Sequence, residues 1–247
     1  LGLATAVGAT HLDVRRRLRI GVASTGDELH DPPHPLPAGT AYDANRPLLR
    51  AALDRLSFEA LDLGICADRA QAFDQLLEAA FARELDALVT SGGAAQGDAD
   101  VVRKAAAIRF LPLQIRPGRG IAFARIEHGR RALALFGLPG NAVAAFVMFH
   151  LVARPALLHL AGATAGVPAH VPLPLACDVQ VRGGCVDYRR ARLLADGEHV
   201  AVMPLKEQGS AMLRTVTDAD LLIALGPRSE YRAGEMVPSI LIDALDD

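Results

Sequence analysis

The sequence predicts an α/β fold: a mostly parallel sheet flanked by helices over residues 18–163, followed by a small all-β, barrel-like domain over 172–247. Three observations carry this. Strand-like and helix-like runs alternate through the first part, the mark of βαβ units and a parallel sheet. The stretch LAGATAGVPAHVPLP then breaks the pattern with glycine and proline, as a domain boundary does. Beyond it come only short strand-like runs separated by turn residues, with no good helix.

The elements follow in order. Residues 1–17 read as the stub of an upstream domain. LRIGVAS (18–24) is apolar and β-branched, a strand that ends at the turn TGDEL. HDPPHPLPAGT is too rich in proline for regular structure and reads as a surface loop. NRPLLRAALDRL spaces its apolar residues for a helix, with Asn45 as N-cap and Pro47 in the first turn. FEALDLGIC (58–66) is a strand, QAFDQLLEAAFAREL (71–85) an amphipathic helix, and DALVTS (86–91) a third strand, with a helix beginning near Asp98. FLPLQI and IAFARI are extended, and RRALALFGLPGN is a strand closing in a glycine turn. A long apolar helix starts at Asn141, with a kink expected at Pro155. LACDVQV, YRRARLLA, HVAVMPL, ADLLIAL and EMVPSIL are the strands of the second domain.

Composition bounds the function. The 247 residues are 51% apolar and 22% charged, with 26 basic against 28 acidic side chains. That balance gives no support to nucleic-acid or membrane-surface binding, which needs a concentrated basic face. The three cysteines, Cys66, Cys177 and Cys185, lack metal-ligand spacing and point to a reducing cytoplasm. Neither a transmembrane run nor a signal peptide is evident.

In an open α/β sheet, ligands sit beyond the carboxyl ends of the strands. Four polar or glycine-rich turns fall there: STGDEL, CADRA, TSGGAAQGDAD and FGLPGN. Each has a plain structural reading beside the functional one. Gly92 and Gly93 admit a ligand or make a tight turn; Asp68, Asp98 and Asn141 cap helices; Glu28 is a solvated acid; Arg116 and Arg119 of QIRPGRG bind oxyanions or face water. Together they pose a conflict. A carboxylate about 4 Å from a phosphate oxygen costs roughly 4 kcal/mol at an effective dielectric of 20. A divalent cation such as Mg2+ resolves it, since hard oxygen ligands and phosphate together hold that ion. The combination suggests metal-assisted chemistry on a phosphorylated small molecule.

TGDEL, AYDAN, SGG followed by GDAD, IRPGRG and GLPGN stand in this order over roughly residues 15 to 160, and in that the chain resembles the molybdopterin molybdenumtransferase family, which includes the gephyrin E-domain. The resemblance implies insertion of molybdate into adenylylated molybdopterin, with release of AMP, in a cytoplasmic homodimer. It implies Glu28, Asp68 and Asp100 as the catalytic and cation-holding acids. Substrate binding would fall to Thr25, Gly26, Asp43, Asn45, Ser91, Gly92, Gly93, Gly97, Asp98, Arg116, Arg119, Pro139, Gly140 and Asn141, with Arg190 and Ser210 added from the second domain. Pro112 stands where the family carries lysine, and AAQ replaces Val-Ser-Val after SGG. A molybdopterin-binding or scaffold relative without catalysis is therefore the alternative reading. An adenylyltransferase acting one step earlier ranks last, because Ala94 replaces its threonine and such enzymes lack the β domain.

Overall fold

A computed structural model describes residues 1–33, 35–92, 108–164, 168–197 and 199–242. In chain order the strands of the first half are β1 (Arg19–Thr25), β2 (Leu29–His30), β3 (Ala41–Tyr42), β4 (Glu59–Cys66), β5 (Ala87–Ser91), β6 (Arg109–Pro112), β7 (Ile115–Arg116), β8 (Gly120–His128) and β9 (Arg131–Leu138). Those of the second are β10 (Val171–Pro174), β11 (Val179–Gln180), β12 (Val186–Asp196), β13 (His199–Pro204), β14 (Leu221–Leu225), β15 (Glu230–Tyr231) and β16 (Met236–Leu241). The helices are α1 (Gly2–Ala6), α2 (Asn45–Arg55), α3 (Ala70–Ala82), α4 (Ala142–Met148), α5 (Arg154–Ala161) and α6 (Arg214–Thr217).

Six strands form the first sheet, in the order β4–β1–β5–β9–β8–β6. The four from β4 to β9 run parallel, β8 runs against them, and β6, antiparallel to β8, runs with them again, so the sheet is mostly parallel as expected. Parallel strands are covered on both faces and need apolar side chains on both. β5 meets this condition: Ala87 and Val89 pack with Leu49, Leu53, Met148 and Phe149 on the face of α2 and α4, whereas Leu88 joins Phe73, Leu76 and Ala80 on the face of α3.

The run from α4 to α5 corrects the expectation of no transmembrane-length run: among the described residues it alone is long and apolar enough to cross a membrane, with a mean hydropathy of 1.7. It is instead a core helix, 61% buried, lying between the two sheets. The kink expected at Pro155 is a π turn, Phe149–Ala153, one step earlier. Proline has no N–H to donate and its ring crowds the carbonyl four residues back, so the wider turn ahead of it relieves both demands.

The second sheet is antiparallel, in the order β10–β16–β14–β12–β13. One face closes on Leu175, Val179, Val181, Val202 and Tyr231 to make its own core. The other presents Leu222 and Ile240 to Phe146 and Val147 of α4. Burial of side chains this size contributes roughly 1.5–3 kcal/mol each. A second tie is made by backbone: β7, a piece of the arginine turn, pairs with β12 in parallel, Ile115 opposite Val186 and Arg116 opposite Asp187. The short α6 corrects the expectation of no helix in this half; its β-branched sequence RTVT gives no helical signal.

Candidate active site

Because β4, β1, β5 and β9 are adjacent and parallel, their carboxyl ends share one edge of the sheet. The turns there are stitched to one another. Gly26 N–H donates to the carbonyl of Cys66 (3.2 Å) and Gly92 N–H to that of Leu138 (3.1 Å). Both donors are thus spent on the frame. Gly92 earns its place by space instead: with φ +94°, a Cβ there would lie 2.7 Å from Thr25 Oγ1 and closer still to the Thr25 carbonyl. Thr25 Oγ1 is buried and has no hydrogen-bond partner among the described residues.

Asn45 is the knot of this edge. Its amide donates to Ser91 Oγ (2.5 Å) and to the carbonyl of Gly140 (2.7 Å), and Ser91 Oγ donates in turn to the Pro139 carbonyl (3.2 Å). Asn45 is therefore not the cap of α2. Asp43 does that work, its Oδ1 accepting from the N–H groups of Asn45 and Arg46 (3.1 and 3.2 Å) and from Ser24 Oγ (2.8 Å). The buried Asp43 carboxylate is wholly engaged inside the protein. Asn141 caps α4, accepting from Ala144 N–H at 3.1 Å.

The acids gather at the open side. Asp27 Oδ1 accepts from Asp68 N–H (3.1 Å), which ties the turn after β1 to the turn after β4. Burial holds the Asp68 carboxyl above its ordinary value, and the charges of Asp27 and Glu28 push it further. Burial, then Asp68 and Asp27, raise the Cys66 thiol as well. Asp68 makes no capping bond to α3. Glu28 is exposed, with its carboxylate folded against Gly26. Two of the three expected acids therefore meet, with Asp27 as an unforeseen third. Asp100, along with Gly93, Gly97 and Asp98, lies outside the described residues.

The cationic residues sit beside the second sheet. Arg116 Nη1 donates to the Arg182 carbonyl at 3.3 Å, and Gly118 of the same turn packs on Met148 and Ala144. Arg119 is exposed. Arg190 is fully buried on β12: Nε donates to Thr215 Oγ1 (2.9 Å) and Nη2 to the Gly209 carbonyl (3.3 Å), one residue before exposed Ser210. Burial lowers its pKa, and no described carboxylate bonds it.

Sequence reasoning missed Arg46. Its guanidinium is buried and binds Asp43, Asp62 and Asp31. An arginine within an amphipathic helix reads as solvated; the signal was the i,i+3 spacing from Asp43.

Charge at the acidic rim favours a cation, yet among the described residues no three acidic, histidine or cysteine side chains converge closely enough to hold one. Two concavities among the described residues lie elsewhere. One of about 650 Å³ lies where α3 ends beside the β8–β9 hairpin, and its Glu84 and Arg131 already pair with each other; one of about 470 Å³ lies on the second sheet around Tyr188 and Tyr231. Neither collects unpaired groups from several turns, as the sheet edge does.

Residues 21–159 match the family described as a probable molybdopterin binding domain, and residues 172–242 match the MoeA C-terminal region (domain IV). The molybdopterin molybdenumtransferase of Haemophilus influenzae is 31% identical over 245 residues, covering 96% of this chain and 59% of that protein. Molybdopterin molybdenumtransferase 2 of Mycobacterium tuberculosis is 29% identical, covering 90% of this chain and 56% of its own length. The chain thus spans less than two thirds of these relatives. Among solved structures, the molybdopterin biosynthesis MoeA protein of Pyrococcus horikosii superposes with a TM-score of 0.79 at 26% identity, over 98% of this chain and 58% of that one.

Proposed function

Since the chain belongs to the family of probable molybdopterin binding domains, continued by a MoeA-type C-terminal region, we propose that its sheet edge inserts molybdate into adenylylated molybdopterin and releases AMP. One observation carries the reading. Asp27, Glu28 and Asp68 stand at one rim with no arginine or lysine paired to them among the described residues, beside the Gly92 turn that packs closely against Thr25.

In this reading Glu28, Asp68 and Asp100 would hold a divalent cation, Mg2+ by preference, and would orient the water that attacks the phosphoanhydride. A bound divalent cation would supply charge neutralisation for the phosphates. Arg116, Arg119 and Arg190 hold the oxyanions, molybdate and pterin phosphate; their fork of donors suits both. Ser210 adds a hydroxyl beside Arg190. The remaining rim residues shape the pocket: Thr25 offers an unspent hydroxyl, and Asn45 with Ser91, Pro139 and Gly140 keeps the turns apart at a fixed distance.

A homodimer belongs to the proposal. A cytoplasmic setting is supported by three cysteines that are all free thiols. The deciding experiment measures molybdate-dependent AMP release from adenylylated molybdopterin with and without Mg2+. Release that is lost in Asp68→Asn supports insertion. Tight pterin binding without release would favour the scaffold reading, to which Pro112 inclines, since it removes a cation from the site.

A further inference from the structure

We infer that Arg46, which touches none of the rim acids through its own bonds, is the positioning residue that sets the spacing of the turns around the site; this rests on the sheet edge being the pterin site. The argument is one of connectivity. Arg46 Nε donates to Asp43 Oδ2 (3.1 Å), Nη1 to Asp62 Oδ1 (3.0 Å) and Nη2 to Asp31. Asp62 lies on β4, and Asp31 opens the proline-rich loop after β2. Through Asp43 the network reaches Ser24 on β1 and the first N–H groups of α2. Through Asn45, held at that helix start, it reaches Ser91 on β5 and Gly140 after β9.

One guanidinium therefore governs five separate segments at the edge. Its fork geometry is what the task requires: three carboxylates approach along three different N–H directions, and a lysine ammonium cannot copy that planar spread. The Arg46–Asp43 pair, at 8% and 1% side-chain exposure, is dry enough to hold its geometry, whereas the arms to Asp31 and Asp62 reach carboxylates that are 50% and 38% exposed. Arg50 marks its outer limit. It binds only the far oxygen of Asp62 (2.7 Å) and is 40% exposed, so it should matter little.

The test compares Arg46→Lys, Arg46→Met and Arg50→Met in the full protein. It reads melting temperature, pterin affinity, and kcat and KM for molybdate-dependent AMP release. Arg46→Lys is expected to lower kcat by on the order of tenfold to a hundredfold, the scale of a misplacement of about 1 Å, with pterin affinity within about threefold of the parent. Arg50→Met is expected to leave both unchanged. Should Arg46→Met fail to fold, Arg46→Lys carries the comparison. The inference is overturned if Arg46→Lys keeps its kcat, or if activity and pterin affinity decline together only as the folded fraction declines. A parent protein that releases no AMP instead sinks the underlying reading, and the inference with it.

Discussion

The acids of the second sheet and those at the carboxyl edge of the first are treated differently. In the second sheet Asp178, Asp187, Asp218, Glu230 and Glu235 each meet an arginine, as in Asp178–Arg232 (3.1 Å) and Asp187–Arg189 (3.0 Å). Bonds from the Ala233 N–H and from Arg232 hold Asp178 below its usual carboxylate range, and bonds from the Arg232 N–H and from Arg228 do the same for Glu235. At the carboxyl edge of the parallel sheet, Asp27, Glu28 and Asp68 pair with no arginine among the described residues, and Asp68 shifts the other way. Identical chemistry thus serves opposite ends. Paired acids hold a surface together, whereas unpaired ones store repulsion that a ligand can relieve.

The largest effect expected from this contrast is at Asp68. Asp68→Asn should cut AMP release by on the order of 10²-fold or more. Its melting temperature should not fall, because a carboxyl held above its ordinary value costs stability once ionised and asparagine removes that charge. Calorimetry checks the second half, and a clear loss of stability would place Asp68 among the paired, structural acids.

Arg190 is the cationic counterpart, buried with the charge of Asp187 nearby but with no carboxylate bonded to it among the described residues. Arg190→Met should weaken molybdate binding by about 1.5–3 kcal/mol while stability is held or rises, since a dry unpaired charge is replaced by an apolar chain. Titration of molybdate against the two proteins decides it, and unchanged affinity would make Arg190 a purely internal strut.

His150 is the case that could break the rule. Both of its ring nitrogens are buried and have no hydrogen-bond partner among the described residues, although the ring packs against Phe146 and Phe149 in the core helix. Burial, then Arg154 and Arg55, lower its pKa from 6.5 to about 3. Between those values only the unfolded chain takes up the proton, so stability should fall as pH drops from 6.5 toward 3. The slope is up to about 1.4 kcal/mol per pH unit. His150→Leu should flatten it, as urea titrations across that range would reveal. A flat profile in the parent would mean that water or a relaxed ring satisfies the imidazole.

The smallest effect is predicted for Asp178→Asn, which removes an exposed paired acid. AMP release should be unaltered and stability only slightly reduced, measured by the same assay and melt.

Much of the fold was legible because parallel strands wear their burial openly. LRIGVAS and DALVTS are apolar on both faces, and strands so composed have few alternatives. The family resemblance pointed to Glu28 and Asp68, and the structure brings them to one rim. What escaped depends on contacts between distant segments. Asn45 looked like a cap because nothing in its neighbourhood says that Ser91 and Gly140 will be its partners, leaving Asp43 to receive the helix donors. Arg46 looked solvated for the same reason. Asp27 escaped because a turn aspartate beside Glu28 carries no mark that it will bind the Asp68 backbone. The pairing of β7 with β12 was invisible too, since two residues make no periodic signal.

That two-residue pairing has a mechanical result. A strand borrowed from one half completes the sheet of the other, so prising the halves apart would tear a ladder as well as expose the Phe146–Leu222 contact. The polypeptide should melt as one cooperative unit, with a single calorimetric transition. If the second half swings during turnover, Arg116 must ride with it, making that arginine a passenger of the lever rather than a fixture of the socket.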